Sequence, residues 1–261
     1  MLVGYGVIGL LASVVAPYSP YEMESKSSFL PPSQTHLLGT DQFGRDILSR
    51  TLFGTRVSLR LSCSAVGIAL LVGIPFGMVA GHRGGVMEAV TMRLTDLLMI
   101  FRTMILAIVL VVIIGPSEEA VIAALTVYLV PQFTRMARGL TISVKENEFI
   151  EAAIACGASE VRILARHIWP NIYPPLLVQA SLMLPTTVLS AAALSFIGLG
   201  VQPPTPEWGA QLSSAREFLR VAPHLIMGPG MALFLFVLAA NLAADGFRDL
   251  LDPKTRQGLH W

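Results

Sequence analysis

Charged residues are scarce in this chain of 261 residues. Asp, Glu, Lys and Arg make up 13% of the sequence, whereas soluble domains carry about 25%, and hydrophobic residues make up 54%. A soluble protein of this length could not bury so much apolar surface. The formal net charge is only +1, which does not indicate a nucleic-acid partner. The composition therefore predicts a polytopic membrane protein embedded in a lipid bilayer.

Motifs for catalysis and nucleotide binding are missing as well. The sequence has no Gly, four residues, Gly-Lys-Ser/Thr pattern, so another chain must bind any ATP that drives this protein. Its five histidines lack metal-ligand spacing, and no paired carboxylates or nucleophile elbow appear. Cys63 and Cys156 fall in a predicted span and in a polar loop, so we expect no disulfide between them. We predict no catalytic site, no metal site and no cofactor bound in this chain.

Hydrophobic runs predict an all-α protein with about six transmembrane helices. They are residues 2–16, 57–81, 94–114, 120–137, 172–196 and 225–244. The first run is shorter than the about 20 residues that a span needs, yet no basic residue precedes it, as one would in a signal peptide. We interpret it as the end of a first transmembrane helix, with a cleaved signal peptide as the alternative. The distribution of Lys and Arg among the loops predicts that both termini are cytoplasmic.

A polar stretch separates the fourth and fifth predicted spans. Residues 151–171, which we call the signature segment, read EAAIACGASEVRILARHIWPN. Gly157 predicts a short helix, a turn and a second helix, and Pro170 is expected to end the segment before Asn171 caps the next span. Apolar side chains recur at helical spacing and predict one continuous apolar stripe. They are Ile150, Ile154, Ala158, Val161, Leu164 and Ile168.

The signature segment resembles the EAA loop of ABC-importer permeases. The matching residues are Glu151, Ala152, Ala153, Gly157 and, 13 residues after the glycine, Pro170. His167 and Trp169 stand where the family usually has Ile and Leu. Three other stretches are similar to the second type of permease in the dipeptide, oligopeptide and nickel branch. They are LGTD at 38–41, SFIGLGVQPPTPEWG at 195–209 and DGFRDLLDP at 245–253. The resemblance covers roughly residues 30–253.

This resemblance implies a type I ABC-importer permease fold in the inner (cytoplasmic) membrane. Residues 1–56 would form the first helix and an external loop, 57–253 the core permease domain with a cytoplasmic coupling loop at 138–170, and 254–261 a cytoplasmic tail. In that family two homologous permeases pair, two ATP-binding subunits hold ATP and Mg, and an extracytoplasmic substrate-binding protein delivers the substrate for alternating access. The helix from Glu151 to Gly157 would then contact an ATPase subunit, and this chain would not itself be an enzyme.

Polar residues inside the predicted spans are candidates for a translocation path. They are Arg102, Thr186, Thr187 and Ser190. The resembling permeases usually have proline at the position of Arg102, so we expect this span to lose a kink and to gain a charge that snorkels or faces the pore. The hydroxyls near Pro185 either line the path or satisfy backbone carbonyls at a kink. Asp96 is expected to pair with Arg93, one turn away.

The loop at residues 17–56 is rich in proline and turn residues, which predicts a folded external segment. Four charged side chains in it are spaced for helical pairing, and we interpret them as solvated. They are Asp41, Arg45, Asp46 and Arg50. Beyond the fifth span, we interpret Trp208 as an aromatic anchor at the membrane interface.

Peptides are the substrates that the resemblance favours, with nickel, a metallophore or glutathione as alternatives within the same class. An ion-driven secondary transporter would need acidic residues at midspan, whereas Asp96 and Asp245 lie near the ends of predicted spans. An intramembrane enzyme would need a nucleophile or metal ligands deep in the spans, and the sequence offers none.

Overall fold

The computed structural model describes Gly9, residues 11–101 and residues 103–251. Its helices are α1 (Ile47–Arg83), α2 (Gly85–Ile100), α3 (Thr103–Ile114), α4 (Glu118–Lys145), α5 (Glu148–Ala155), α6 (Glu160–Phe196), α7 (Trp208–Arg216) and α8 (His224–Leu251). Across these described ranges, extended pairing is limited to an isolated bridge between Thr40 and Asp46. The all-α prediction is confirmed.

Four helices are long and apolar enough to cross a membrane: α1, α4, α6 and the part of α8 up to Ala244. Helices α2 and α3 pass the same test only as a pair, bent by 90° at the break between them. The described residues therefore contain four or five of the six predicted spans. Most of the first predicted run, 2–16, lies outside the described residues, although residues 11–15 are helical.

The predicted span 94–114 is interrupted. Phe101 has an extended backbone, with φ −82° and ψ 119°, and ends helix α2 there. The prediction that this span loses its kink for want of a proline is therefore wrong, because the backbone turns without one. Arg102 itself lies outside the described residues. Asp96 pairs with Arg135 of α4 at 2.6 Å and not with Arg93, because α2 packs along α4.

Of the helices that the structure describes, α1 and α4 pack against each other most extensively. Three glycines four residues apart, Gly73, Gly77 and Gly81, lie against the backbone of α4. A Cβ on Gly73 would come within 2.9 Å of the Val130 carbonyl oxygen, and one on Gly81 within 2.8 Å of the Arg138 carbonyl oxygen. Small residues at this spacing let two membrane helices approach closely, so the pair behaves as one packed unit.

Residues 17–46, which we call the cap, fold over the start of α1. Asp46 caps that helix, because its Oδ2 accepts hydrogen bonds from the Ser49 backbone N–H at 2.8 Å and from the Ser49 hydroxyl at 2.7 Å. Its Oδ1 lies 3.0 Å from His36 Nδ1. The helix thus begins at Ile47, before the predicted span at 57–81, and its 37 residues extend about 55 Å.

The four charged side chains that were interpreted as solvated, Asp41, Arg45, Asp46 and Arg50, are buried, so that interpretation is wrong. Arg45 Nε donates to Asp41 Oδ2 at 2.6 Å, and Arg50 Nη1 donates to the Pro20 carbonyl oxygen at 2.8 Å. Asp41 and Arg45 have the predicted spacing but lie in a turn that precedes the helix. Pairing with opposite charge and with backbone carbonyls is what allows ionic groups to be buried.

Trp208, at the start of α7, is fully buried and is not an interface anchor as predicted. Its indole Nε1 donates to the Thr51 carbonyl oxygen at 3.0 Å, and its ring lies 5.9 Å from that of Phe236 in α8. Helix α7 is inserted among α1, α6 and α8. The tryptophan is therefore part of the core that holds these helices together.

Candidate functional site

The signature segment contains the predicted helix, turn and second helix. Helix α5 ends at Ala155, and Gly157 follows in the left-handed region with φ 78°. The Gly157 N–H donates to the Ile154 carbonyl oxygen at 2.9 Å, and the Ala158 N–H to the Ala153 carbonyl oxygen at 3.1 Å, which closes the helix end. An added Cβ on Gly157 would have no atom within 4 Å, so the glycine is required by its backbone conformation and not by space.

The buried side of this segment differs from the predicted stripe. Ile150, Ile163 and Ile168 are buried, in a cluster that also holds Ile74 of α1 and Ala137 of α4. Ala158 and Leu164 are half-buried against the same cluster. The other two stripe positions, Ile154 and Val161, are 52% and 75% exposed. The prediction of one continuous stripe is wrong, because the turn at Gly157 changes the helical phase between the two parts.

The opposite side of α5 is open. Glu151 and Ala152 are exposed, Ala153 is half-buried, and Phe149 and Ile154 add exposed apolar area next to them. This surface combines one carboxylate with small and apolar side chains. Such a surface on a helix fixed to a packed body is suited to contact with another protein.

The segment does not end at Pro170. Helix α6 runs without a break from Glu160 to Phe196. A wide π-helical turn covers Ile163–Ile168, just before this proline, which lacks the N–H that an α-helical bond would need. Asn171 does not cap a helix start either, since its Nδ2 donates to the His167 carbonyl oxygen at 2.6 Å.

The candidates for the translocation path lie further along α6. The Thr186 and Thr187 hydroxyls each donate to the Met183 carbonyl oxygen at 2.7 Å, and the Ser190 hydroxyl donates to the Thr186 carbonyl oxygen at 2.8 Å. The helix continues through Pro185. Thr186 is exposed, Ser190 is half-buried and Thr187 is buried. Their hydroxyls thus satisfy backbone carbonyls, which was one of the two alternatives, and a role in translocation stays a prediction, as it does for Arg102.

The two groups of predicted site residues are not brought together. Pro170, the predicted coupling residue that lies on α6, is 16 residues from Thr186, about 24 Å at the α-helical rise. Helix α6 nevertheless carries Pro170 of the first group as well as the polar residues of the second. No cluster of three or more potential metal ligands is present in the part of the chain that the structure describes.

Sequence reasoning missed a buried carboxylate, Glu207. Its Oε2 accepts the Ala210 N–H at 2.8 Å at the start of α7, and its Oε1 accepts the Ser58 hydroxyl of α1 at 3.3 Å. Burial raises the pKa of this carboxyl group above its ordinary value, and the hydrogen bonds from Gly209, Ala210 and the serines oppose that shift. An acidic residue one position before a helix is the N-cap signal that could have identified it.

Comparison with known proteins identifies the family. Residues 73–257 match the family described as binding-protein-dependent transport system inner membrane component. The dipeptide transport system permease protein DppC of Alkalihalophilus pseudofirmus is 40% identical over 256 residues, which cover 98% of this chain and 84% of that relative. The glutathione transport system permease protein GsiD of Pectobacterium atrosepticum is 40% identical over 262 residues, covering 97% and 87%.

Solved structures give the same fold. The chain superimposes on the MetNI methionine ABC transporter in an inward-facing conformation with a TM-score of 0.64 and 19% identity, covering 79% of this chain and 98% of that one. A second crystal form of that transporter matches with a TM-score of 0.62. The match over residues 73–257 and the relatives at 40% identity show that the chain belongs to the inner membrane components of binding-protein-dependent transport systems, as a multi-pass ABC-importer permease of the dipeptide, oligopeptide and nickel family.

Proposed function

We propose that this chain is one of two homologous permease subunits in an ATP-driven importer of dipeptides or oligopeptides. Two ATP-binding subunits would hold ATP and Mg and perform the hydrolysis, an extracytoplasmic binding protein would deliver the peptide, and this chain would contribute no ATPase site. Both termini and the signature segment would face the cytoplasm. The peptide substrate is supported by the 40% identity to a permease named for dipeptides.

The observation that carries the mechanism is the two-sided geometry of α5. One side is fixed through the buried Ile150 to a cluster shared by three transmembrane helices, α1, α4 and α6. The other side presents Glu151 and Ala152 to a partner. A force applied by an ATPase subunit to the exposed side would therefore reach the spans through packed side chains. Alternating access requires such a connection, because hydrolysis and translocation occur in different chains.

Glutathione is the second candidate substrate. Permeases named for glutathione transport are 40% identical to this chain in Pectobacterium atrosepticum and 41% in Escherichia coli. Glutathione is itself a short peptide, so the two candidates share the recognition of amide and carboxylate groups. The assembled importer, reconstituted with the binding protein that copurifies with it, distinguishes them: dipeptides are expected to stimulate its ATPase more than glutathione, and the reverse result would reassign the substrate.

Replacing Gly157 by leucine, or Glu151 by lysine, is expected to uncouple the importer. Leucine is strained at φ 78°, so the turn that sets the direction of α5 changes shape. Lysine at position 151 reverses the charge on the exposed side of α5. The ATPase activity stimulated by loaded binding protein should fall about fivefold or more, the lower range of coupling between sites. Reconstituted complexes in nanodiscs provide the measurement.

Gly139→Leu is the matched control, because Gly139 lies in helix α4 and an added Cβ there has no atom within 4 Å either. It should leave the stimulated activity close to that of the wild type. Normal stimulation in both the Gly157→Leu and Glu151→Lys complexes would contradict the coupling role of the signature segment.

A further inference from the structure

The residues before and after α5 are both hydrogen-bonded to the C-terminal end of α1. His82 and Arg83 are the last two residues of that helix. Lys145, just before α5, donates from Nζ to the His82 carbonyl oxygen at 2.7 Å. Beyond the turn at Gly157, Glu160 Oε2 accepts from Arg83 Nε at 3.2 Å and from Arg83 Nη2 at 2.9 Å. The end of α1 therefore holds the chain on either side of the helix that is exposed to a partner.

The side chains of α5 do little to orient it. Within the described ranges, no side chain of residues 148–155 makes a hydrogen bond or an ion pair, and Ile150 is the one residue of the helix that is fully buried. A single buried side chain fixes a position but leaves rotation about that point open. The bonds from Lys145 and to Glu160 supply the two further points that fix the direction of α5 relative to α1.

We infer that Arg83 and Glu160 are positioning residues that make α1 follow the movement of α5. The inference rests on the proposed coupling role of the signature segment and adds the route by which the movement reaches the helix that also carries the cap. The Arg83 and Glu160 side chains are 57% and 56% exposed, so their pair adds little to the stability of the fold. The pair acts on the orientation of α5 relative to α1. Its loss should therefore reduce the coupling between the ATPase subunits and the transmembrane helices.

The chain provides a matched control pair. Asp96 and Arg135 are each 51% exposed, lie 2.6 Å apart and join α2 to α4. They carry the same kinds of charge as Arg83 and Glu160 at similar exposure, and among the described residues neither forms a hydrogen bond or an ion pair with the signature segment. Any general effect of reversing a surface charge on this protein will therefore appear in both pairs.

The experiment exchanges the charges in the complete importer, reconstituted in nanodiscs with both ATPase subunits and the binding protein. The variants are Arg83→Glu, Glu160→Arg and the two together, with Asp96→Arg, Arg135→Asp and their combination as controls. The measured quantity is the ratio of ATPase activity stimulated by loaded binding protein to basal activity. Size-exclusion chromatography checks that each complex is assembled.

Each single change at Arg83 or Glu160 should lower this ratio about two- to fivefold, the range that an exposed ion pair contributes to an equilibrium constant. The double exchange, which restores opposite charges, should recover most of the ratio. The changes at Asp96 and Arg135 should leave it unaltered.

Three results would overturn the inference. If the single variants lower the ratio and the double exchange does not restore it, Glu160 contacts the ATPase subunit directly. If the control pair lowers the ratio equally, the effect is one of general surface charge. If the ratio is unchanged here but falls in Glu151→Lys, the positioning role is wrong while the proposed function stands; if Glu151→Lys is also without effect, both fail.

Discussion

Gly77→Ala is expected to separate helices α1 and α4 and to cost about 3 kcal/mol of stability, the upper range for forcing extra atoms into a packed core. The added methyl would lie 2.8 Å from the Ala137 Cβ and closer still to the Thr134 carbonyl oxygen. The Thr134 oxygen is a main-chain atom and the Ala137 Cβ is attached directly to the main chain, so neither can rotate away from the added methyl. The helices must move apart instead, and every contact along their shared face weakens.

Gly67→Ala provides the comparison for this prediction. Gly67 lies in the same helix, and an added Cβ there would have no atom within 4 Å. Both changes bring the same gain in helix propensity, about 1 kcal/mol, so the difference between them isolates the contact with α4. The midpoint of thermal unfolding in detergent is the measurement. Equal midpoints for the two variants would show that α1 and α4 are not closely packed at Gly77.

Glu207→Ala is expected to be about as destabilising as the glycine change, at about 3 kcal/mol, because each buried hydrogen-bonding group left without its partner costs about 1–3 kcal/mol. The change removes the acceptor for the Ala210 N–H and for the Ser58 hydroxyl. Helix α7 loses its N-cap as well as its bond to α1. Glu217→Ala, at the exposed end of the same helix, should change the unfolding midpoint little.

Glu207→Gln should retain most of the stability, because an amide oxygen can still accept the Ala210 N–H. The same variant tests how the charge of the Glu207 carboxylate affects stability. Burial raises the pKa of Glu207 above 4.5, so the folded state binds this proton more tightly than the unfolded state does. The stability from this group is then complete below the unfolded pKa and is lost as the pH rises through the folded pKa.

Since glutamine is neutral at every pH, E207Q lacks this loss. The unfolding midpoint of E207Q should therefore rise relative to that of the wild type as the pH is raised from about 5 upward. Midpoints that run parallel across that range would show that the carboxylate is stabilised in its charged form by Gly209, Ala210 and the serines.

The features that could be predicted from the sequence depend on one segment at a time. A run of apolar residues long enough to cross a bilayer can be recognised without knowledge of its neighbours. The turn at Gly157 is also local, because a glycine between two helical patterns indicates a positive φ. The candidate site was located in the same way, from a resemblance within one continuous stretch.

The features that could not be predicted depend on which segments meet. Nothing in residues 195–209 shows that Trp208 will lie against α1. Asp96 pairs with a residue 39 positions away, where spacing suggested a neighbour one turn away. Arg83 and Glu160 are 77 positions apart, and no sequence pattern connects them. The phase change at Gly157, which exposes Ile154 and Val161, is likewise set by the direction in which the two helices leave the turn.

Helix α1 has the cap at one end and the signature segment at the other, along about 55 Å of continuous helix. A rod of this length that tilts by about 10° around its middle moves each end by about 5 Å, in opposite directions. With such a tilt, the space beside α1 would widen at one surface of the membrane and narrow at the other in a single displacement. The two entrances would then be unable to open together for purely geometric reasons, and no separate lock would be needed.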